Sequence, residues 1–151
     1  MEESDYHPAE KAALRLIARA EQCSAGLSRK LEKRRFDSSA VNEVIAKLTE
    51  LKLLDDDRFA RLWLESRLRL TRSPRQLISS LCAKGIDREA AEAALKIALD
   101  EDTELKLIER YIKKNAKKIN KSGDVTRNIK FMLKNEGFTY RVIDRYLEED
   151  I

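Results

Sequence analysis

The sequence predicts an all-α protein built as three tandem three-helix repeats forming an elongated, curved array, and three observations predict it. Only 4 Gly and 2 Pro punctuate 151 residues, too little turn material for a many-stranded sheet, while abundant Ala, Leu, Glu, Lys and Arg favour helix. One apolar register recurs at fixed offsets. Leu27, Leu31, Phe36, Val41, Val44, Ile45 and Leu48 match Leu77, Leu81, Ile86, Ala91, Ala94, Leu95 and Ala98 at an offset of 50; Ile129, Leu133, Phe138, Ile143, Tyr146 and Leu147 repeat the second set at an offset of 52. Third, Asp37, Asp87 and Thr139, all residue types that cap helix N-termini, stand at the same point of each copy.

The first repeat, residues 1–54, is read as a leading helix over 9–23, a second helix announced by Ser24 and a third capped by Asp37. The second, residues 55–100, has a leading helix over 57–70, a second announced by Ser73 with Pro74 in the first helical position, and a third capped by Asp87. The third, residues 101–151, runs through 103–119, a helix announced by Asp124 and one capped by Thr139. The residue before each third-helix cap and the residue four after that cap pair as Phe36/Val41, Ile86/Ala91 and Phe138/Ile143, the spacing of a hydrophobic staple. Gly85 and Gly137 fall where a left-handed residue ends the second helix, a place filled by Arg35 in the first copy.

The middle leading helix carries one stripe of Phe59, Leu62, Trp63 and Leu70 and another of Leu64 and Leu68. On the third, Leu105, Ile108, Ile112, Ala116 and Ile119 share a face opposite a cationic ridge of Arg110, Lys113, Lys114, Lys117, Lys118 and Lys121. Units in a row, rather than wrapped around one core, predict a radius of gyration in solution scattering clearly above the roughly 15 Å of a compact globule of this length. A value near 15 Å overturns the array.

Net charge is only +4, but its distribution is uneven. Windows 29–35, 58–75 and 110–134 hold 20 of the 31 basic residues against one acid each, Glu32, Glu65 and Asp124, so the segregation points to an anionic partner. The surface residues expected to carry it are Arg29, Lys30, Lys33, Arg34, Arg67, Arg69, Arg72, Arg75, Arg110, Lys113, Lys114, Lys117, Lys118, Lys121, Lys130 and Lys134. No apolar run approaches membrane-span length, and residues 1–6 open acidic with no apolar segment behind them, so neither a span nor a signal peptide is expected. Cys23 and Cys82 lie 59 residues apart in a chain with one histidine, His7, which excludes ordinary zinc spacing and fits a reducing cytoplasm. Asp55, Asp56 and Asp57 precede an apolar-periodic helix and read as a cap with a favourable helix-dipole interaction rather than a metal or acid/base site. No nucleophile pair, general base or phosphate-cradling glycine loop accompanies them, so a monomer that is not an enzyme and has no cofactor is expected.

The run Leu53-Leu54-Asp55-Asp56-Asp57-Arg58-Phe59-Ala60, followed by Ser66-Arg67, Pro74-Arg75-Gln76-Leu77 and Lys84-Gly85-Ile86-Asp87, resembles the signature of the RecX regulatory family. Ser24-Ala25-Gly26-Leu27 with Lys30-Leu31 resembles that family's first-repeat segment. The resemblance implies a protein that binds the RecA recombinase filament along its groove, contacts single-stranded DNA weakly and without sequence preference, and limits filament extension and activity without chemistry of its own. Recombination, DNA repair and the SOS response are the implied settings. Where the family often has Gly before the second-repeat proline, this chain has Ser73.

Two other functions share parts of this pattern. A helix-turn-helix DNA reader has the same architecture but needs Asn, Gln or Arg aimed at base edges, whereas the helix after each staple offers mainly Ala, Glu, Val and Lys. A helical protein-interaction scaffold needs only the repeats and leaves the charge segregation unused. Trp63, Tyr111, Tyr140 and Tyr146 fit packing positions, and His7 a solvated one.

Overall fold

The structure, a computed structural model, describes residues 5–149. Among the described residues there are nine α-helices, one 3-10 turn and no strand. They are α1 (Tyr6–Arg19), α2 (Ser24–Lys33), α3 (Ser38–Glu50), α4 (Asp56–Arg67), α5 (Pro74–Ala83), α6 (Arg88–Ala98), α7 (Glu101–Lys114), α8 (Val125–Asn135) and α9 (Tyr140–Glu149), with the 3-10 turn at Ala116–Lys118. The described residues divide into two compact units, 5–60 with 81–91 and 61–80 with 92–149.

In the first unit α1, α2 and α3 pack on one another. Ala9, Ala12 and Ala13 of α1, Leu27 and Leu31 of α2, Val41, Val44 and Leu48 of α3, and Leu54 form its buried cluster. Small residues on α1 let its backbone approach the larger side chains of α2 and α3. In the second unit α9 packs on α7 and α8, burying Leu107, Ile108 and Tyr111 of α7 with Leu133, Phe138, Val142 and Ile143. Leu31, Leu81 and Leu133, equivalent in the repeat register, are each fully buried.

The ends of the second helices show the repeat most directly. Arg35, Gly85 and Gly137 all have positive φ, at 66°, 97° and 88°. The amide of each donates to the carbonyl three residues back, and the next amide to the carbonyl five back: Phe36 to Leu31, Ile86 to Leu81 and Phe138 to Leu133. That pairing is the Schellman motif, which satisfies carbonyls a helix end leaves free and seats an apolar residue against the last turn. α3 ends the same way at Lys52 (φ 61°), an end the sequence reading did not single out.

Helix starts fall at or next to the expected residues, though Asp37 stands at the N-cap of α3 without a side-chain cap bond, its carboxylate taken by the Ser39 hydroxyl. Asp124 accepts from the Arg127 amide at 3.2 Å and caps α8. Ser73 and Gln76 form a reciprocal capping box at α5, and the buried Ser73 hydroxyl also donates to Glu136 Oε2 at 2.6 Å. The serine that departs from the family pattern is thus the cap itself and a tie to the end of α8. Ser24, however, lies inside α2, and its amide donates to Asp56 Oδ1 at 2.7 Å. At α9, Thr139 gives both its amide (2.6 Å) and its hydroxyl (3.1 Å) to the buried carboxylate of Glu104. A carboxylate from another helix holds the helix start in both cases.

The leading helices stop earlier than expected. α1 ends at Arg19 because Ala20 is extended and the Gln22 side-chain amide reaches back to the carbonyls of Leu16 and Ala20. α4 ends at Arg67, with the Ser66 hydroxyl on the Trp63 carbonyl. α7 ends at Lys114, where Asn115 Nδ2 donates to the Tyr111 carbonyl at 2.9 Å. Their apolar faces shift accordingly. On α4 the buried residues are Ala60 and Leu64, while Leu62, and Leu70 beyond the helix end, are exposed. On α7 they are Glu104, Leu107, Ile108 and Tyr111, while Leu105 and Ile112 are half-buried, and Ala116, on the 3-10 turn beyond α7, is exposed.

Candidate functional site

In the second unit, two of the three basic windows meet. Arg110 donates from its guanidinium to the Leu68 carbonyl at 2.8 Å, and Lys114 Nζ to the Thr71 carbonyl at 3.2 Å, fastening the end of α7 to the segment between α4 and α5. The result is a cleft of about 490 Å³. Arg72, Arg75 and Lys114 supply its positive charge, Thr71, Ser79 and Ser80 its hydroxyls, and Gln76 and Glu136 complete the lining. Arg72, Arg75 and Lys114 are exposed, so their heads remain available to a ligand at little desolvation cost. Three cations beside hydroxyl and amide donors make a site suited to phosphate or carboxylate oxygens.

One carboxylate faces this set, but it is engaged: Glu136 accepts from the Ser73 hydroxyl, and its backbone carbonyl accepts from the Arg75 amide at 3.0 Å. Beneath lies Tyr111, buried edge-on against Phe138 at 5.5 Å, its hydroxyl pushed to a higher pKa by burial and then by the charge of Glu136. This confirms Tyr111 as a packing residue.

The other candidate residues are placed less uniformly. Arg29, Lys30 and Lys33 lie on α2 with Arg34 just beyond it, all exposed, and Lys30 donates to Gln22 Oε1 at 2.8 Å. Arg67 lies over the Trp63 ring at 5.4 Å, and Arg69 is exposed beyond α4. Trp63 itself is half-buried, with an indole N–H that is buried and unpartnered. The ridge expected along one unbroken helix does not form. Lys113 pairs with Glu109 at 3.4 Å one turn back, Lys117 and Lys118 sit on the 3-10 turn, and Lys121 lies in the following loop. Lys130 pairs with Asp144 at 2.9 Å, and Lys134 lies over the Tyr140 ring at 4.5 Å.

Tyr140 is 62% exposed, which corrects its reading as a packing residue, and Phe131, which the sequence reading passed over, is 67% exposed. A signal for Phe131 was present: it lies off the Ile129/Leu133 stripe, between Lys130 and Lys134.

The acidic cluster caps helices. Asp55 Oδ1 accepts from the Arg58 amide at 3.0 Å at the start of α4, and Asp56 holds the start of α2. Arg58 in turn bonds Glu21 at 2.6 Å and the carbonyls of Lys52 and Leu53. The thiol of buried Cys23 donates to the Lys84 carbonyl at 3.4 Å, Cys82 is half-buried, and both are free. Among the described residues no helix is long and apolar enough to cross a membrane.

Comparison with known proteins agrees with this architecture. The family model described as the first three-helix domain of RecX matches residues 9–48, and that described as the second matches residues 55–95. The Regulatory protein RecX of Treponema pallidum is 38% identical over 72% of this chain and 66% of its own length, slightly under two thirds of that relative. That of Mycobacterium ulcerans is 30% identical over 93% of this chain and 83% of its own. The crystal structure of RecX from Lactobacillus salivarius superposes with a TM-score of 0.74 at 24% identity over 96% of both chains. A second RecX crystal structure gives 0.78 at 16% identity, over 95% of this chain and 72% of the other. With both three-helix domains matched in order and the same fold in two solved relatives, this chain belongs to the RecX family of regulatory proteins.

Proposed function

We propose that this chain regulates a RecA-type recombinase by binding its nucleoprotein filament and limiting the filament's extension and activities, as a cytoplasmic monomer without catalysis of its own. The observation that carries the reading, in a member of this family, is the convergence of Arg72, Arg75 and Lys114 on one hydroxyl-lined cleft. A recombinase filament offers two anionic surfaces, the phosphate track of its DNA and acidic protein side chains, and cations clustered in a cleft steer encounter with either. Neutralising the cluster also relieves its self-repulsion and, on DNA, releases counterions. Among the other exposed cations of the sixteen, Arg69, Lys117, Lys118 and Lys121 of the second unit add positive charge, and Arg29, Lys33 and Arg34 of the first unit offer an anion a further contact of their own. DNA binding on this reading is weak and indifferent to sequence. The test adds the purified chain to preformed recombinase filaments and follows ATP hydrolysis and filament length. Both fall if the reading holds; unchanged length and turnover at saturating protein overturn it.

A further inference from the structure

We infer that α8 carries a base-stacking surface for an unpaired DNA strand, centred on Phe131, with Tyr140 linked to the same helix through Lys134; the choice of DNA rests on the function proposed above. Water contact over 67% of a phenylalanine is costly on a folded surface, and Tyr140, 62% exposed, is a second aromatic ring in the same part of the unit. The positions one helical turn from Phe131 on either side are Arg127, Asn128, Lys134 and Asn135: two cations, two amides and no acid. A protein-docking aromatic is ordinarily surrounded by further apolar side chains, so this neighbourhood favours a ligand with flat rings and negative charge.

Four contacts hold the arrangement. Lys134 Nζ sits 4.5 Å from the Tyr140 ring centroid, and one turn away Lys130 pairs with Asp144 at 2.9 Å, so α8 and α9 are clasped along one edge. Asn128 Nδ2 donates to the carbonyls of Asn120 and Ser122, fixing the loop that leads into α8. Phe131, one turn from Lys134, therefore projects from a braced helix with exposed Arg127 on its other side. An unpaired base stacks on the phenyl ring while Arg127 and Lys134 meet the flanking phosphates. Duplex DNA has its base faces already stacked and cannot use the ring.

The test compares binding of a labelled oligothymidylate with binding of an abasic strand of equal length and charge, by fluorescence anisotropy. The parent chain prefers the base-bearing strand by roughly tenfold, the range expected for one aromatic stack. F131A loses most of that preference while keeping the abasic affinity, and F131W restores it. Circular dichroism of F131A stays at the parent value because the ring is exposed. The inference is overturned if the parent shows no preference, if F131A retains it, or if F131A weakens both strands equally. Loss of filament inhibition with DNA binding intact also overturns it, since the ring would then dock on protein. A chain whose base preference depends on Phe131 but which leaves filaments untouched refutes the recombinase reading alone.

Discussion

Replacing Gly85 by alanine is expected to destabilise the first unit by roughly 2–5 kcal/mol, the sum of a left-handed backbone cost and an overpacking cost. Gly85 has φ 97°, and a Cβ built there falls 2.3 Å from the Ala25 Cβ, closer than two carbons can approach. α2 and the end of α5 must move apart, or the Schellman turn must open and free the carbonyls of Leu81 and Cys82. Gly137 gives a matched comparison. Its φ is 88°, but a Cβ there stays 3.4 Å or more from its nearest neighbours, the Arg75 amide among them. G137A therefore carries only the backbone cost, roughly 1–2 kcal/mol. Thermal or urea unfolding of both variants should show G85A as clearly the more damaging. Adding A25G should recover the steric part for G85A and nothing for G137A. Equal losses for the two glycines would falsify the close-approach argument.

The left-handed ends of the three second helices show how much of this fold a sequence can reveal. Periodic apolar residues, staples and Schellman ends are local, each set by residues within a turn or two, so Arg35, Gly85 and Gly137 were legible as helix ends and proved to be so. At two helix starts a partner distant in sequence takes part. Asp56 holds the Ser24 amide at the start of α2 from 32 residues away, and Glu104 holds the amide and hydroxyl of Thr139 from 35 away, contacts that the local residue types do not announce. Helix C-termini were misplaced because Gln22 and Asn115 end α1 and α7 by side-chain bonds to backbone carbonyls, competition that an apolar pattern does not register. The basic residues can be read off the sequence, but their grouping in space cannot. Lys114 bonds the Thr71 carbonyl across 43 residues, and nothing in the sequence says that this lysine, rather than Lys113 beside it, joins Arg72 and Arg75.

That grouping sets the largest functional effect to expect. Converting Arg72, Arg75 and Lys114 together to glutamine removes three cations from the cleft and leaves the core untouched, since all three are exposed and no ion pair of theirs is lost among the described residues. The bond that disappears is Lys114 to the Thr71 carbonyl, at the surface. For single strands the slope of log affinity against log salt changes by about 0.7 per phosphate neutralised, so the variant's slope should be shallower by about 2, with affinity near 0.1 M salt down about 100-fold. Filament inhibition should fall with it, because encounter slows when the steering charge is gone. A control of equal charge change converts Lys11, Arg15 and Arg19, exposed on α1 and outside every basic window; its DNA slope and filament inhibition should stay near the parent's. Lys47 and Lys52 serve less well, since Lys47 pairs with Glu10 at 2.9 Å, an interaction that raises its pKa, and Lys52 holds the left-handed end of α3. If the cleft variant keeps the parent slope and inhibits filaments as well as before, the cleft is not the anion contact, and Arg29, Lys33 and Arg34 on the first unit become the residues to change next.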